Sequence, residues 1–304
     1  MTPRIAVLLG TYNGARYLEQ QLESLQAQTL RPQLVLVSDD GSSDETLQIV
    51  WRFADHFPGD VECLTGPRGG VAANYLHLIR HCPAVDMVAF CDQDDVWLPQ
   101  KLAKQWARLS AITPPALHGA PTWRTDADLK RKGQSTFRQV TPSLEHALVQ
   151  NLAGANTMAL NAEGLALAQI AAKRVSAAPF HDWWLYQLFA ATGAEMIYEN
   201  DPQVLYRQHR ANVVGNNQSL VATLRRAVSL QQGLYSQWVD LNLANLKLVE
   251  DHCTAEARAL VDAFAEMRAA SLLARLAAFR KLRLRRHGWH GQMALWTALI
   301  AGKV

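Results

Sequence analysis

Three aspartates fall within four positions in the stretch AFCDQDDVW, residues 89–97: Asp92, Asp94 and Asp95. In a 304-residue chain with 27 acidic residues, such crowding is costly unless water, hydrogen-bond donors or a cation relieve it. Magnesium and manganese prefer hard oxygen ligands. In nucleotide sites one or two carboxylates hold them, while phosphate oxygens and water complete the octahedron. A D-x-D pattern directly after an apolar run suits that task. It also suits a plainer one, because an Asp ahead of Pro99 and a periodic apolar run can cap a helix. A second acidic pair, Asp39 and Asp40, follows LVLVS. A carboxylate at a strand end can accept the imide N–H of uracil or thymine. Tyr12 could cover the face of such a base, and Arg68 in PRGG could reach base or phosphate. The plainer readings are an Asx turn in DDGSSDE, strand-end packing for Tyr12 and a solvated cation for Arg68.

The elements that must carry these residues follow from periodicity. Ile5 to Leu9 reads as a strand, and GTYNG leads from it into a helix with Leu18, Leu22 and Leu25 on one face. LVLVS, residues 34–38, is a second strand, and Ser42 and Glu45 are spaced as a capping box for the helix after it. VECLT is a third strand, Val71 to Arg80 a helix, and DMVAFC, residues 86–91, the next strand. Such alternation is the mark of βαβ units with a mainly parallel sheet. In open sheets of this kind, ligands gather at the carboxyl ends of the strands. Thr11-Tyr12-Asn13, Asp39-Asp40 and the Asp92 to Asp95 group each follow a strand, so they should share one cleft. Beyond residue 110 the rhythm loosens around Pro114, Pro115, Pro121 and Pro142, and after about 218 the pattern is helical.

Composition narrows the class. An apolar content of 49% supports a sizeable core and argues against disorder. The net charge of +3 is too small to imply nucleic acid without a local cluster. Cys63, Cys82, Cys91 and Cys253 show no CxxC spacing, which fits a reducing compartment better than a disulfide framework or a zinc site. The N-terminus lacks the apolar core of a signal peptide, and no apolar window is long enough to cross a bilayer. These features suggest a chain that is soluble or peripherally attached. Gly10 and Gly14 do not make G-x-G-x-x-G, which disfavours a dinucleotide-dependent dehydrogenase. GTYNGARYL likewise lacks the Gly-rich basic signature of a sugar-1-phosphate nucleotidyltransferase.

Taken in order, LLGTYNGARYLEQQLESLQAQT, LVLVSDDGSSDETLQIV, FCDQDDVWLPQKL, HDWWLYQLF and LYRQHRANVVG resemble the bacterial family 2 glycosyltransferases of the GT-A fold, over about residues 3–215. The likeness is to the branch that includes rhamnosyltransferases of surface polysaccharides. It implies an α/β fold with a mainly parallel central sheet flanked by helices, a catalytic domain 1–216 and a helical C-terminal extension 217–304. By that resemblance Thr11, Tyr12, Asn13 and Asp40 hold the base, with Asp39 supporting it. Asp92 touches the ribose, and Asp94 ligates the Mg2+ or Mn2+ that bridges the diphosphate. His209 is brought toward the diphosphate and grouped with Asp94 as a metal ligand. Asp95 assists through water, and Asn156 lies near the donor and acceptor sugars. Asp182, in HDWW, sits where the family places the base of a single inverting displacement. Trp183 and Trp184 either wall the sugar or pack the helix that Asp182 begins. Relatives often carry an Asp after the strand near 117, where this chain reads LHGAP; His118 either compensates or is an ordinary strand-end residue. The resemblance favours dTDP-L-rhamnose over a UDP-hexose as donor, with a surface polysaccharide or lipid-linked saccharide as acceptor. A noncatalytic nucleotide-sugar sensor is the alternative outside enzymes.

One basic run remains. From Met267 to Val304 there is no acidic residue, while Arg268, Arg275, Arg280, Lys281, Arg283, Arg285, Arg286 and Lys303 are basic. Interleaved leucines and the tail GWHGQMALWTALIAG have the composition of an interfacial helix, suited to an anionic membrane surface. Packing of Trp289, Leu295 and Trp296 on the catalytic domain or a second subunit is the competing reading. No aromatic-rich module accompanies the run, so nucleic acid is not expected as a partner. The expected location is the cytoplasm, with peripheral attachment to the cytoplasmic face of the inner membrane left open, as is homo-oligomer formation.

Overall fold

A computed structural model describes residues 2–135, 141–209 and 233–304. Strands β1 (Ile5–Thr11), β2 (Leu34–Asp39), β3 (Asp60–Thr65) and β4 (Met87–Asp92) alternate with helices α1 (Ala15–Gln26), α2 (Thr46–Ala54) and α3 (Val71–His81). β1 lies between β2 and β4 and is parallel to both, and β3 extends the sheet in parallel from β2. β1 and β2 are buried along nearly their whole length, which is why they read as continuous apolar runs rather than alternating ones.

Past β4 the chain forms the short strand β5 (Val96–Trp97), helix α4 (Lys101–Leu109) and strands β6 (Ala116–Gly119), β7 (Trp123–Thr125) and β8 (Arg131–Gln134). The order continues with α5 (Leu144–Ala147), a 3-10 turn at Ala155–Thr157, β9 (Ala159–Asn161), α6 (Ala162–Arg174), α7 (His181–Thr192), β10 (Glu195–Tyr198) and β11 (Val204–Arg207). The main sheet has seven strands in the order β10-β6-β9-β4-β1-β2-β3. It is parallel except at β9, which runs antiparallel to both β4 and β6. A second sheet, in the order β5-β11-β7-β8, was not foreseen. Its strands are two to four residues long, too short to leave a period in the sequence.

One core packs α1, α2 and α4 against one sheet face, through residues such as Val7, Leu9, Leu22, Val50 and Leu102. The other packs α3, α6 and α7 against the opposite face and continues into the C-terminal helices α8 (Leu234–Leu248), α9 (Ala255–Ala269), α10 (Leu272–Leu282) and α11 (Gly288–Ile300). Leu295, Ala298, Leu299 and Val304, near the end of the chain, are buried with it. The boundary expected at 216/217 lies outside the described residues.

The expected capping box is not formed. Glu45 occupies the N-cap position of α2 without a side-chain capping bond. The Ser42 hydroxyl instead donates to Asp39 Oδ2 at 2.6 Å and accepts the Asn13 N–H at 2.8 Å. Loop organisation has claimed the group that local helix chemistry would have used.

Candidate active site

Parallel pairing aligns the strand ends that carry the polar clusters. Thr11 is in register with Asp39, and Gly10 with Asp92, so three neighbouring strands deliver their terminal residues to one edge. Asp39 accepts hydrogen bonds from the Thr11 hydroxyl at 2.8 Å and from the Gly41 and Ser42 amides at 3.1 and 2.8 Å. Asn13 adopts φ 46° and accepts the Ser43 N–H at 2.9 Å; asparagine tolerates this left-handed backbone better than most residues. Thr11 and Asn13 were expected to hold a base and Asp39 to support it; the side-chain oxygens of all three are engaged within the loops themselves. Tyr12 between them is 57% exposed and free to present its ring.

Asp40 fastens a second loop. Its two oxygens accept the Arg68 and Gly70 amides at 2.6 and 2.8 Å. An ionised carboxylate has about four acceptor positions, so two amides do not saturate it. Arg68 is held at φ 58°, an uncommon conformation of the kind that collects at binding sites. Its side chain passes over Gly41, whose absent Cβ would lie 3.1 Å from Arg68 Nε. Tyr12, Asp40 and Arg68 thus stand on loops fixed by backbone-to-carboxylate bonds.

The acidic cluster divides into distinct tasks. Neither Asp94 nor Asp95 caps α4, whose N-cap is Gln100 without a side-chain bond. Asp92, at the end of β4, accepts a hydrogen bond from the Tyr75 hydroxyl at 2.7 Å. Burial, then the charges of Asp94 and Asp182, push its carboxyl above the usual range against that hydrogen bond. Asp94 Oδ2 lies 2.8 Å from His209 Nε2. Asp95, expected to reach the sugar through water, is fully buried. It accepts hydrogen bonds from Asn156 Nδ2 and from the Arg207 main chain at 3.0 Å. Asn156 is 3% exposed and spent on that bond. Both residues therefore brace the acidic loop rather than standing open to a sugar, as had been expected of them; an uncompensated carboxylate at that depth would be too costly.

Asp182 opens α7, in the first turn of the helix. It accepts the Trp183 N–H at 2.7 Å, and the Asn151 side chain and the Ala155 amide lie close enough to favour its ionised form. Burial outweighs these bonds and lifts its carboxyl to about 6. Its charge is felt at Asp92, so the base candidate and the D-Q-D-D loop belong to one electrostatic cluster. Trp183 and Trp184 do not face a sugar. They are 5% and 1% exposed within the core, and Trp183 Nε1 donates to Ala147 O at 2.7 Å. Successive residues on a helix cannot share the face of Asp182. His118 does not compensate for a missing Asp either: it is 4% exposed and bound to Glu199 at 3.1 Å.

Several residues were passed over. Gln93 reads Tyr12 with both ends of its amide, accepting the Tyr12 N–H at 2.9 Å and donating to Tyr12 O at 3.0 Å. That clamp joins the base loop to the acidic loop. Arg207 donates to Asp94 O at 2.9 Å and to Gln20 Oε1 at 2.6 Å, and its guanidinium lies 4.5 Å from the Tyr17 ring centroid. Tyr17 in turn packs against His209 at 4.8 Å. Arg207 thereby ties the small second sheet to the acidic loop. The spacing of Arg207 and His209, two apart in YRQH, was the available signal; nothing in the sequence marked Tyr75 or Asn151.

Asp94 and His209 offer one carboxylate and one imidazole, a donor pair that fits a divalent ion whose remaining positions go to phosphate oxygens and water. Among the described residues, no group of three or more His, Cys, Asp or Glu is arranged to hold a metal by itself.

The glycosyl transferase family 2 model matches residues 6–163, which carry the Thr11-Tyr12-Asn13 loop, both aspartate clusters and Asn156. The chain belongs to this family. It is 26% identical over 232 residues to the dTDP-rhamnosyl transferase RfbG of Shigella flexneri, covering 72% of this chain and 77% of that one. It is 29% identical over 101 residues to the UDP-Glc:alpha-D-GlcNAc-diphosphoundecaprenol beta-1,3-glucosyltransferase WfgD of Escherichia coli, covering 33% of this chain and 39% of that one. Among solved structures, S. aureus TarS 1-349 in complex with UDP-GlcNAc superposes with a TM-score of 0.56 at 16% identity, over 99% of this chain and 89% of TarS. The mannosyltransferase PcManGT of Pyrobaculum calidifontis, in complex with GDP-Man and Mn2+, gives 0.52 at 18% identity, over 100% and 85%. These neighbours share the GT-A architecture, with its central sheet between helices and further helices at the C-terminus. The chain is thus a glycosyltransferase by family and a GT-A protein by fold.

Proposed function

We propose that the protein is a metal-dependent inverting glycosyltransferase that moves L-rhamnose from dTDP-L-rhamnose to a saccharide acceptor, lipid-linked or part of a surface polysaccharide. The single observation that carries the reading is the pairing of Asp94 with His209 on a loop whose Asp92 feels the charge of a separate, desolvated carboxylate, Asp182. Tyr12, Asp40 and Arg68 receive the base, with Gln93 and Asp39 fixing the loop. Asp92 takes the ribose side, and Asp94 and His209 hold the metal. Manganese suits the pair better than magnesium because one ligand is an imidazole nitrogen. When bound, the ion neutralises the diphosphate so that it leaves without a protein acid. Asp182 removes the acceptor hydroxyl proton as that oxygen attacks the anomeric carbon. The preset loops supply the remainder by positioning. Support for rhamnose comes from the likeness to RfbG, and for a lipid-linked acceptor from the likeness to WfgD.

A melting-temperature panel tests the donor: dTDP-rhamnose, UDP-glucose, UDP-galactose and GDP-mannose, each with and without manganese. Ligand at a hundred times its Kd stabilises by about 2.7 kcal/mol, so dTDP-rhamnose should raise the melting temperature only with metal. A larger shift with UDP-glucose would overturn the rhamnose reading. Stabilisation without any turnover or slow hydrolysis of the donor would favour a sensor over an enzyme.

A further inference from the structure

The last helix has two faces of different fate. Leu295, Ala298 and Leu299 are buried against the core, while Trp289, Met293 and Ile300 are 70%, 57% and 57% exposed. At about 100° per residue these three lie within about 40° of one another around α11, so they form one apolar stripe turned away from the protein. Leu272 and Leu273, at the start of α10, are exposed as well. In the last turn of α10 and the junction that follows it, Arg280, Lys281, Arg283 and Arg285 are exposed. By contrast, Arg268 is spent on Asp240. No acidic residue occurs from 267 to 304 to offset this charge.

The basic junction is fixed in place. Leu284 is 3% exposed and anchors it in the core. The His287 N–H donates to Gln150 Oε1 at 2.7 Å, and the side chain of the next residue, Asn151, lies near Asp182 and favours its ionised form. The cationic corner thus adjoins the loop, residues 150–151, that lies beside the candidate base. An apolar stripe with tryptophan at one end and exposed cations beside it matches the demands of a bilayer interface, where the stripe sinks among acyl chains and the cations meet anionic headgroups. A second copy of the chain fits less well, because a twofold contact would set these unbalanced cations against one another.

We propose that α10, α11 and the junction between them form a docking face for an anionic lipid bilayer, holding the Asp182 side of the cleft toward the membrane surface. Vesicle flotation of the full chain tests it, with phosphatidylcholine alone and with phosphatidylglycerol added. The full chain should float with the anionic vesicles, less so at high salt, and remain behind with phosphatidylcholine alone. Losing one exposed cation should weaken binding roughly fivefold, and the variant R280Q/K281Q/R283Q/R285Q should bind at least roughly a hundredfold more weakly. The variant W289S/M293S/I300S should float much less than the parent chain, and the remaining binding should keep the parent's salt response. Circular dichroism and melting temperature of both variants should match the parent chain, since every substituted side chain is exposed. Absence of flotation by the parent chain, or flotation of both variants equal to it, overturns the proposal. So does a lipid-free dimer that W289S/M293S/I300S converts to monomer, because a second copy then covers the stripe. Flotation requires neither donor nor metal, so its failure would leave the transfer reaction untouched.

Discussion

Asp182→Asn should make the protein more stable while stopping transfer. Burial lifts the Asp182 carboxyl from its ordinary 3.8 to about 6. Below about pH 4 the group is protonated in both folded and unfolded chains, so it contributes nothing to the pH dependence. Between there and about 6 the unfolded chain gives up its proton first, and stability falls as pH rises, by about 1.4 kcal/mol per pH unit. Above about 6 both states are ionised, and a constant penalty of about 2 to 3 kcal/mol remains; the lower value applies because Asp182 is partly open to the cleft. Asparagine keeps the shape and an oxygen for the Trp183 N–H but never carries the charge. Urea denaturation of both proteins, at intervals from about pH 4 to about pH 8, should show curves that coincide at the acid end and part as pH rises, with the variant on top. Removing this charge also relieves Asp92, which adds in the same direction. Transfer by the variant should fall by about a hundredfold or more. A variant less stable at every pH, or a gap that ignores pH, would refute the claim that Asp182 is a desolvated base; full turnover would refute its role.

Wild-type kcat/KM should rise as pH increases through about 6, by up to tenfold per unit on the acid limb, and a flat profile there would remove Asp182 as the base. His209→Ala takes away the nitrogen partner of Asp94, and the manganese concentration for half-maximal activity should rise by roughly ten- to a hundredfold, with the donor-free melting temperature nearly unchanged. Gly14→Ala drives a methyl into the space held by Gln93 Oε1, so the clamp on Tyr12 must open; donor KM should rise by about tenfold with little change in kcat. Arg207→Met leaves the Asp94 and Ala127 carbonyls and Gln20 Oε1 without their donor, and chemical denaturation should report a loss of about 3 kcal/mol or more.

The first half of the fold was legible because each βαβ unit is a local decision. Continuous apolar runs such as IAVLLGT and LVLVSD can only be buried strands, and the polar residues that end them must then meet at one sheet edge. The second half was less so. β5, β7, β8 and β11 have no period long enough to read, and they exist because Arg207 and the acidic loop bind one another across more than a hundred positions of sequence. The strand-end residues Thr11, Asp39 and Asp92, expected to meet, do lie in register at one sheet edge, since parallel pairing aligns the ends of β1, β2 and β4. What the sequence could not assign was the division of labour. Asp95 and Asp94 are neighbours of identical chemistry, yet one is sealed beneath Asn156 and Arg207 while the other meets His209 at the opening. Trp183 and Trp184 follow Asp182 directly, yet helical rotation turns them into the core. Residue type and spacing determined which chemistry was available; burial and hydrogen bonding, which depend on segments far apart in the chain, decided which side chains stay open and which are sealed.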